Sequence, residues 1–272
     1  MTAIAMTTFG DLPAIRIASA DGAEAIVTLF GAHLVSWNTA DARQRLFCSA
    51  RSALDGSRAI RGGVPVIFPQ FAERGAGLRH GFARVSNWRL ADSGMHGDAA
   101  FATFALAPAQ LTQASKRAWP HAFELQLRVE VQGAALSLAL DVRNTGVDAF
   151  AFSSALHTYF LVDAIGDVAI AGVQDALLRV DDKIDRIYSG IGGSISVAQP
   201  GGLLTLTQTG FGDAVVWNPG ALDTAALVDM EDDDYLRFVC IEPAQIAPVT
   251  LQPGAAWRGE HQVRSADASS IP

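Results

Sequence analysis

The sequence predicts an all-β protein, a sandwich or barrel of antiparallel strands with very little helix. Three observations carry that prediction. First, period-two alternation recurs: "ELQLRVEV" sets Leu125, Leu127, Val129 and Val131 on one face, and "ALSLALDVR" does the same with Leu136, Leu138, Leu140 and Val142. Second, short apolar or alternating runs recur along the chain, separated by Gly, Pro, Asn and Asp. Third, the alternation of strands with helical periods that marks a parallel α/β sheet is missing.

Taken in order, "AIRIAS", "AIVTLF" and "HLVSW" read as strands near the amino terminus. The stretch from about Ser49 to Asn87 is irregular, with Pro65, Pro69 and several glycines, and long irregular loops in compact proteins are often functional. "FATFAL" is the next strand, and "PAQLTQASKRA" holds the best candidate for a turn or two of helix. The two alternating runs at 124–131 and 135–143, joined through "QGA", read as a hairpin with one packed face and one wet face. "LLTLTQ", "AVVWN", "RFVCIE" and "APVTLQ" supply later strands, and the tail from 265 to 272 reads as flexible. No fixed-period repeat and no long linker divides the 272 residues, so one domain over 1–272 is expected.

Composition narrows the class. The chain is 50% hydrophobic and 18% charged, which fits an ordered globular protein with a large core. A net charge of -8 argues against a general nucleic-acid surface, and no apolar run reaches the roughly 18 residues of a membrane span. Cys48 and Cys240 are too few and too scattered for a disulfide framework or a zinc site, so a reducing, cytoplasmic setting is expected. Nothing calls for an oligomer, and a monomer is expected. Against the acidic background, residues 51–89 hold seven arginines and two acids, a local balance of +5 suited to an anion. The acidic run "DMEDDDY" from Asp229 lacks the spaced ligands and turn glycine of a calcium loop and reads as a solvated turn.

Motifs for nucleotide binding, for a serine-hydrolase elbow and for a zinc protease are all missing from the sequence. In "FSSALHTYF", Ser153 lies four residues before His157, roughly 13 Å along an extended strand, too far for a nucleophile pair. Two titratable groups stand inside apolar strands: His157, and Glu242 in "FVCIEPAQ". Each alone reads as well structurally as chemically; together they form a candidate acid–base pair.

Six blocks in order, "IRGGVPVIFPQF", "RHGFARVSNW", "SSALHTYF", "DRIY", "VVWNP" and "VCIEP", resemble the hexose-6-phosphate mutarotases (glucose-6-phosphate 1-epimerases) of the aldose 1-epimerase superfamily. The likeness runs from about Ile26 to Val263. It implies a galactose-mutarotase-like β-sandwich of two large twisted antiparallel sheets. It also implies His157 as general acid, Glu242 as general base, Arg61 and Arg84 as phosphate ligands, His80 as a sugar-contacting residue and Asp185 as a ligand of sugar hydroxyls. Arg79 stands where some members have glutamine, and it either adds a phosphate contact or points to solvent. Ala72 stands where glycine is common, which questions the local loop shape.

The resemblance implies exchange of the α and β anomers of a hexose 6-phosphate by ring opening and closure, with C1 held between acid and base. General acid–base chemistry of this kind needs no cofactor and no metal. Three alternatives stand beside it: a two-histidine, one-carboxylate metal site at His80, His157 and Glu242; a noncatalytic sugar-phosphate-binding or regulatory protein on the same fold; and a mutarotase of unphosphorylated aldoses. In an extended strand His80, Phe82 and Arg84 would share a face.

Overall fold

Period-two patterning becomes three antiparallel sheets in the structure, a computed structural model that describes residues 3–75 and 77–267. The largest has eight strands, in the order Ala169–Ala171, Ile195–Gln199, Gly202–Thr209, Ala256–Ala266, Ala135–Asn144, Phe123–Gln132, Ala99–Leu106 and Arg89–His96. Its centre is the expected hairpin, whose register pairs Val131 with Leu136 and Leu125 with Val142 across a turn that Gly133 enters at φ 58°. Leu125, Leu127, Val129 and Val131 are buried, as are Leu136, Leu138, Leu140 and Val142, so one face of the hairpin is core.

The second sheet has Ile184–Ser189, Asp213–Asn218, Phe238–Leu251, Phe150–Leu156 and Val66–Ile67 side by side, with Tyr159–Leu161 also paired to Phe238–Leu251. Alternation splits its central strands between two faces. Val216, Val239 and Ile241 enter the main core, whereas Val215, Cys240 and Glu242 face the other way. The apolar run "FVCIE" is therefore a strand with chemistry on one side and core on the other.

Beside these two large sheets stands a four-stranded meander of Ile4–Phe9, Leu12–Ala18, Glu24–Thr28 and His33–Asn38, a third sheet that the sequence suggested as strands but not as a separate layer. Its Ile15, Ile17 and Trp37 join the same apolar cluster as Leu127 and Leu138 of the eight-stranded sheet and Val216 of the second. An aromatic wedge ties the two large sheets together. Phe68 lies 5.6 Å from Phe123 and 5.4 Å from Phe152, and Trp119 lies 5.2 Å from Phe123.

Helix is confined to short pieces. Gln113–Ala118 falls where "PAQLTQASKRA" predicts it, begun by Thr112, whose Oγ accepts the Ser115 N–H. Gly220–Ala226, after "WNP", was not anticipated. Of the tail expected to be flexible from 265, Ser265 and Ala266 are instead paired with Leu204 and Leu203, and residues 268–272 lie outside the described residues.

Candidate active site

On the far face of the second sheet, register decides which side chains meet. Ala155 pairs with Ala244 and Tyr159 with Cys240, and carrying that register through the interruption between them sets His157 opposite Glu242. Residues opposed across an antiparallel pair have Cβ atoms about 4.5–5.5 Å apart. His157 Nε2 lies 3.3 Å from Glu242 Oε1. The pairs Val215 with Glu242, Trp217 with Cys240 and Asp185 with Trp217 extend the same face outward. Sequence separation of 85 residues hides this contact, because antiparallel register is set by tertiary structure.

Above the pair opens a cavity of about 630 Å³. Its walls include all seven residues expected at the site, Arg61, Arg79, His80, Arg84, His157, Asp185 and Glu242. Arg74, Arg186, Phe71 and Trp217, which were not singled out, join them. Arg186 and Trp217 belong to the "DRIY" and "VVWNP" blocks, so membership in those blocks was the available signal. Of the seven arginines between 51 and 89, four line the cavity: Arg61, Arg74, Arg79 and Arg84. The others turn away: Arg51 to Glu231, Arg89 to Glu124, and Arg58 to solvent.

Glu242 is 1% exposed and His157 8%. Burial pushes the Glu242 carboxyl well above the usual carboxylate range, and Asp185 adds to the effect while Arg84 opposes it. Burial also pushes His157 well below 6.5, with His80 and then the positive guanidinium groups of Arg84 and Arg61 acting in the same direction. These surroundings favour a carboxylic acid beside a neutral imidazole. That state differs from carboxylate beside imidazolium by one proton moved along the 3.3 Å contact. Glu242 Oε2 and His157 Nδ1 have no protein partner, so the carboxyl keeps an oxygen for a ligand hydroxyl.

The expected extended strand over His80–Arg84 is absent. His80 and Gly81 take left-handed backbone, φ 62° and 71°, and Ala83–Val85 is a turn of 3-10 helix. A Cβ on Gly81 would stand 2.0 Å from the Phe68 carbonyl oxygen, so only glycine fits this approach. The bend sends Phe82 into the aromatic wedge and leaves His80 and Arg84 on the cavity. Ala72 is also left-handed, φ 49°, a conformation glycine adopts without strain. Its N–H donates to His80 Nδ1 at 3.3 Å, and the His80 N–H donates to its carbonyl at 2.9 Å. With Nδ1 accepting, the His80 proton sits on Nε2. Burial and the neighbouring arginines, Arg84 foremost, hold His80 down at about 3, so it is a neutral donor at physiological pH.

The two central arginines are held differently. Arg84 donates from Nη2 to the Arg79 carbonyl at 3.0 Å, its buried Nε has no partner, and no carboxylate pairs with it among the described residues. Burial pulls its guanidinium down to about 10, still a cation at neutral pH and one that lacks an anion. Arg61 is instead gripped by Asp229 and Tyr159. Asp229 opens the acidic run read as a solvated turn, yet it is 9% exposed and pairs with Arg61, a correction to that reading. Arg79 donates to Glu73 at 3.2 Å and lines the cavity at its rim with most of its side chain in solvent. Ser153 Oγ accepts the Phe71 N–H at 2.9 Å and plays no part in the pair.

Among the described residues, no three His, Cys, Asp or Glu side chains converge as metal ligands, so the geometry does not form the triad of His80, His157 and Glu242. No helix among them is long and apolar enough to cross a membrane.

Comparison with known proteins places this geometry in a family. The aldose 1-epimerase family profile matches residues 13–183. A protein of Cenchrus ciliaris named "Putative glucose-6-phosphate 1-epimerase" is 32% identical over 262 residues, covering 86% of this chain and 78% of its own. A protein of Escherichia coli strain K12 with the same name is 33% identical over 243 residues, covering 81% of this chain and 79% of its own. The crystal structure of a "putative mutarotase" from Salmonella typhimurium superposes with a TM-score of 0.88 at 27% identity, over 97% of this chain and 94% of that one. Alternation left sandwich or barrel open; the two large antiparallel sheets that the resemblance implied are present, and the fold is shared with this neighbour. With the profile covering more than half of its length, the chain belongs to the aldose 1-epimerase family.

Proposed function

We propose that the protein exchanges the α and β anomers of a hexose 6-phosphate such as glucose 6-phosphate. The observation that carries this reading is the touching His157–Glu242 pair on the floor of an arginine-lined cavity. The names of the plant and bacterial relatives support the phosphorylated substrate.

In the proposed reaction Glu242, as carboxylate, takes the proton of the C1 hydroxyl while His157, as imidazolium, gives one to the ring oxygen O5. The C1–O5 bond breaks and the free aldehyde forms. Rotation about C1–C2 presents the other carbonyl face, O5 adds back, and both protons return. Because O1 and O5 are bonded to the same carbon, a carboxyl and an imidazole 3.3 Å apart can each reach one of them with C1 held over the pair. His80, with its proton on Nε2, donates to a sugar oxygen, and Asp185 accepts from sugar hydroxyls.

Arg84 and Arg61 take the C6 phosphate by charge-assisted hydrogen bonds and so fix C1 over the pair. The phosphate also offsets the positive field that disfavours an imidazolium at His157. We further read the chain as a single cytoplasmic domain: one apolar cluster runs through all three sheets, and both cysteines are free.

Anomer exchange followed by NMR on glucose 6-phosphate and on free glucose tests the reading. The expected outcome is a kcat/KM at least about 100-fold higher on the phosphorylated sugar, as two charge-assisted arginine contacts allow. Equal efficiency on both would remove the phosphate from the account and leave a mutarotase of free aldoses.

A further inference from the structure

We propose that Asp229, with Tyr159, is a positioning residue that presets Arg61 for the substrate phosphate; the inference rests on the hexose 6-phosphate reading above. Arg61 lines the cavity, whereas Asp229 and Tyr159 do not, and they are 9% and 2% exposed. They hold the guanidinium from behind. A single oxygen, Asp229 Oδ2, accepts from Nε at 3.2 Å and stands 3.1 Å from Nη2, and Tyr159 Oη accepts from Nη1 at 3.2 Å. The side edge of the fork is thereby occupied, and the remaining N–H groups of Nη1 and Nη2 are free for an anion in the cavity.

The support extends to the backbone. The Arg61 N–H donates to Ser52 Oγ at 3.0 Å, and its carbonyl accepts from that hydroxyl at 3.0 Å and from the Ser49 N–H at 2.9 Å. Ser49 Oγ in turn donates to Asp234 Oδ2 at 2.7 Å, and the same oxygen accepts the Glu231 N–H at 2.9 Å. Arg51 Nη1 reaches the Met230 carbonyl at 3.4 Å. The acidic turn and the loop bearing Arg61 are therefore fastened into one unit, so the carboxylate moves with the arginine it holds. This gives the run "DMEDDDY" a use that its composition did not suggest. Tyr159 connects the unit to the chemistry, since its ring stacks on His157 at 5.0 Å and 14°.

Asp229 has two opposed effects on a bound phosphate: its charge repels the dianion, and its grip removes the disorder of a long side chain before binding. Substitution separates them. Because a single oxygen makes the contacts with Nε and Nη2, the amide oxygen of Asp229→Asn can take the same place without the charge, whereas Asp229→Ala removes that contact altogether.

The experiment measures kcat and KM for glucose 6-phosphate and for glucose in the intact protein and in Asp229→Ala, Asp229→Asn and Tyr159→Phe, with thermal unfolding to establish folding. We expect Asp229→Ala to lower the preference for the phosphorylated sugar about 10- to 100-fold, chiefly through kcat, because a loose Arg61 binds phosphate without aligning C1. Asp229→Asn should recover the preference to within about threefold, and Tyr159→Phe should lower it about 3- to 10-fold, one hydrogen bond to a charged group. If Asp229→Asn behaves like Asp229→Ala, charge and not position is at work and the proposal fails. It also fails if activity on both sugars falls in proportion, which marks a merely structural role. Lack of preference in the unsubstituted protein overturns instead the hexose 6-phosphate reading on which it rests.

Discussion

The hairpin of Phe123–Asn144 and the segment of 49–87 solve opposite problems. In the hairpin every second residue from Phe123 to Val131 and from Leu136 to Val142 is apolar and buried, its backbone bonds are satisfied by register, and its charged residues lie on the other face. Among its described residues the segment contains only one two-residue strand, Val66–Ile67, turns through left-handed residues at Gly62, Gly63, Ala72, His80 and Gly81, and puts four arginines on the cavity. A regular frame is what makes the irregular part possible. The aromatic wedge of Phe68, Phe82, Trp119, Phe123 and Phe152 is where the second rests on the first.

Breaking the hairpin should therefore cost stability without touching recognition. Leu138 is fully buried between Val129 and His261 in register. Leu138→Ala should lower the unfolding free energy by about 2–5 kcal/mol in urea, while the KM for glucose 6-phosphate stays within about twofold. A large change in KM would show that sheet and cavity are not separable in this way.

A smaller effect compares a buried histidine packed beside each region. His33 donates from Nε2 to the Gly62 carbonyl at 2.7 Å, under the loop of Arg61, and His261 contacts the Thr207 carbonyl from Nδ1 at 3.3 Å within the eight-stranded sheet. Burial first of all holds each down at about 4. The unfolded chain takes up these protons near 6.5 and the folded one only near 4. Their contribution is thus full above 6.5 and is lost as pH falls toward 4. From pH 7 to 4.5 the unfolding free energy should fall by about 2 kcal/mol per histidine, at 1.36 kcal/mol per pH unit. A flat profile over that range would mean that both rings are protonated at little penalty in the folded state.

Much of the frame was legible in the sequence because alternation is local: Leu125, Leu127, Val129 and Val131 announce their face within eight residues. The site was legible only as separate members. His157 and Glu242 stood out as polar groups in apolar strands, but their contact depends on register between strands far apart in the chain. Asp229 was read as solvated because it opens an acidic run without the spaced ligands of a calcium loop, and nothing in that run foretold a buried ion pair. The bend at His80 was hidden for a related reason: left-handed histidine leaves no pattern, and only the adjoining Gly81 marked a special backbone.

The account stands or falls on the pair at the cavity floor. NMR exchange spectroscopy of glucose 6-phosphate with catalytic amounts of the unsubstituted protein, His157→Ala and Glu242→Gln tests it most directly. Loss of either proton carrier should slow α–β exchange by about 10²- to 10⁴-fold, with both variants folded. Exchange at the unsubstituted rate in either variant would contradict the assignment of proton transfer to His157 and Glu242.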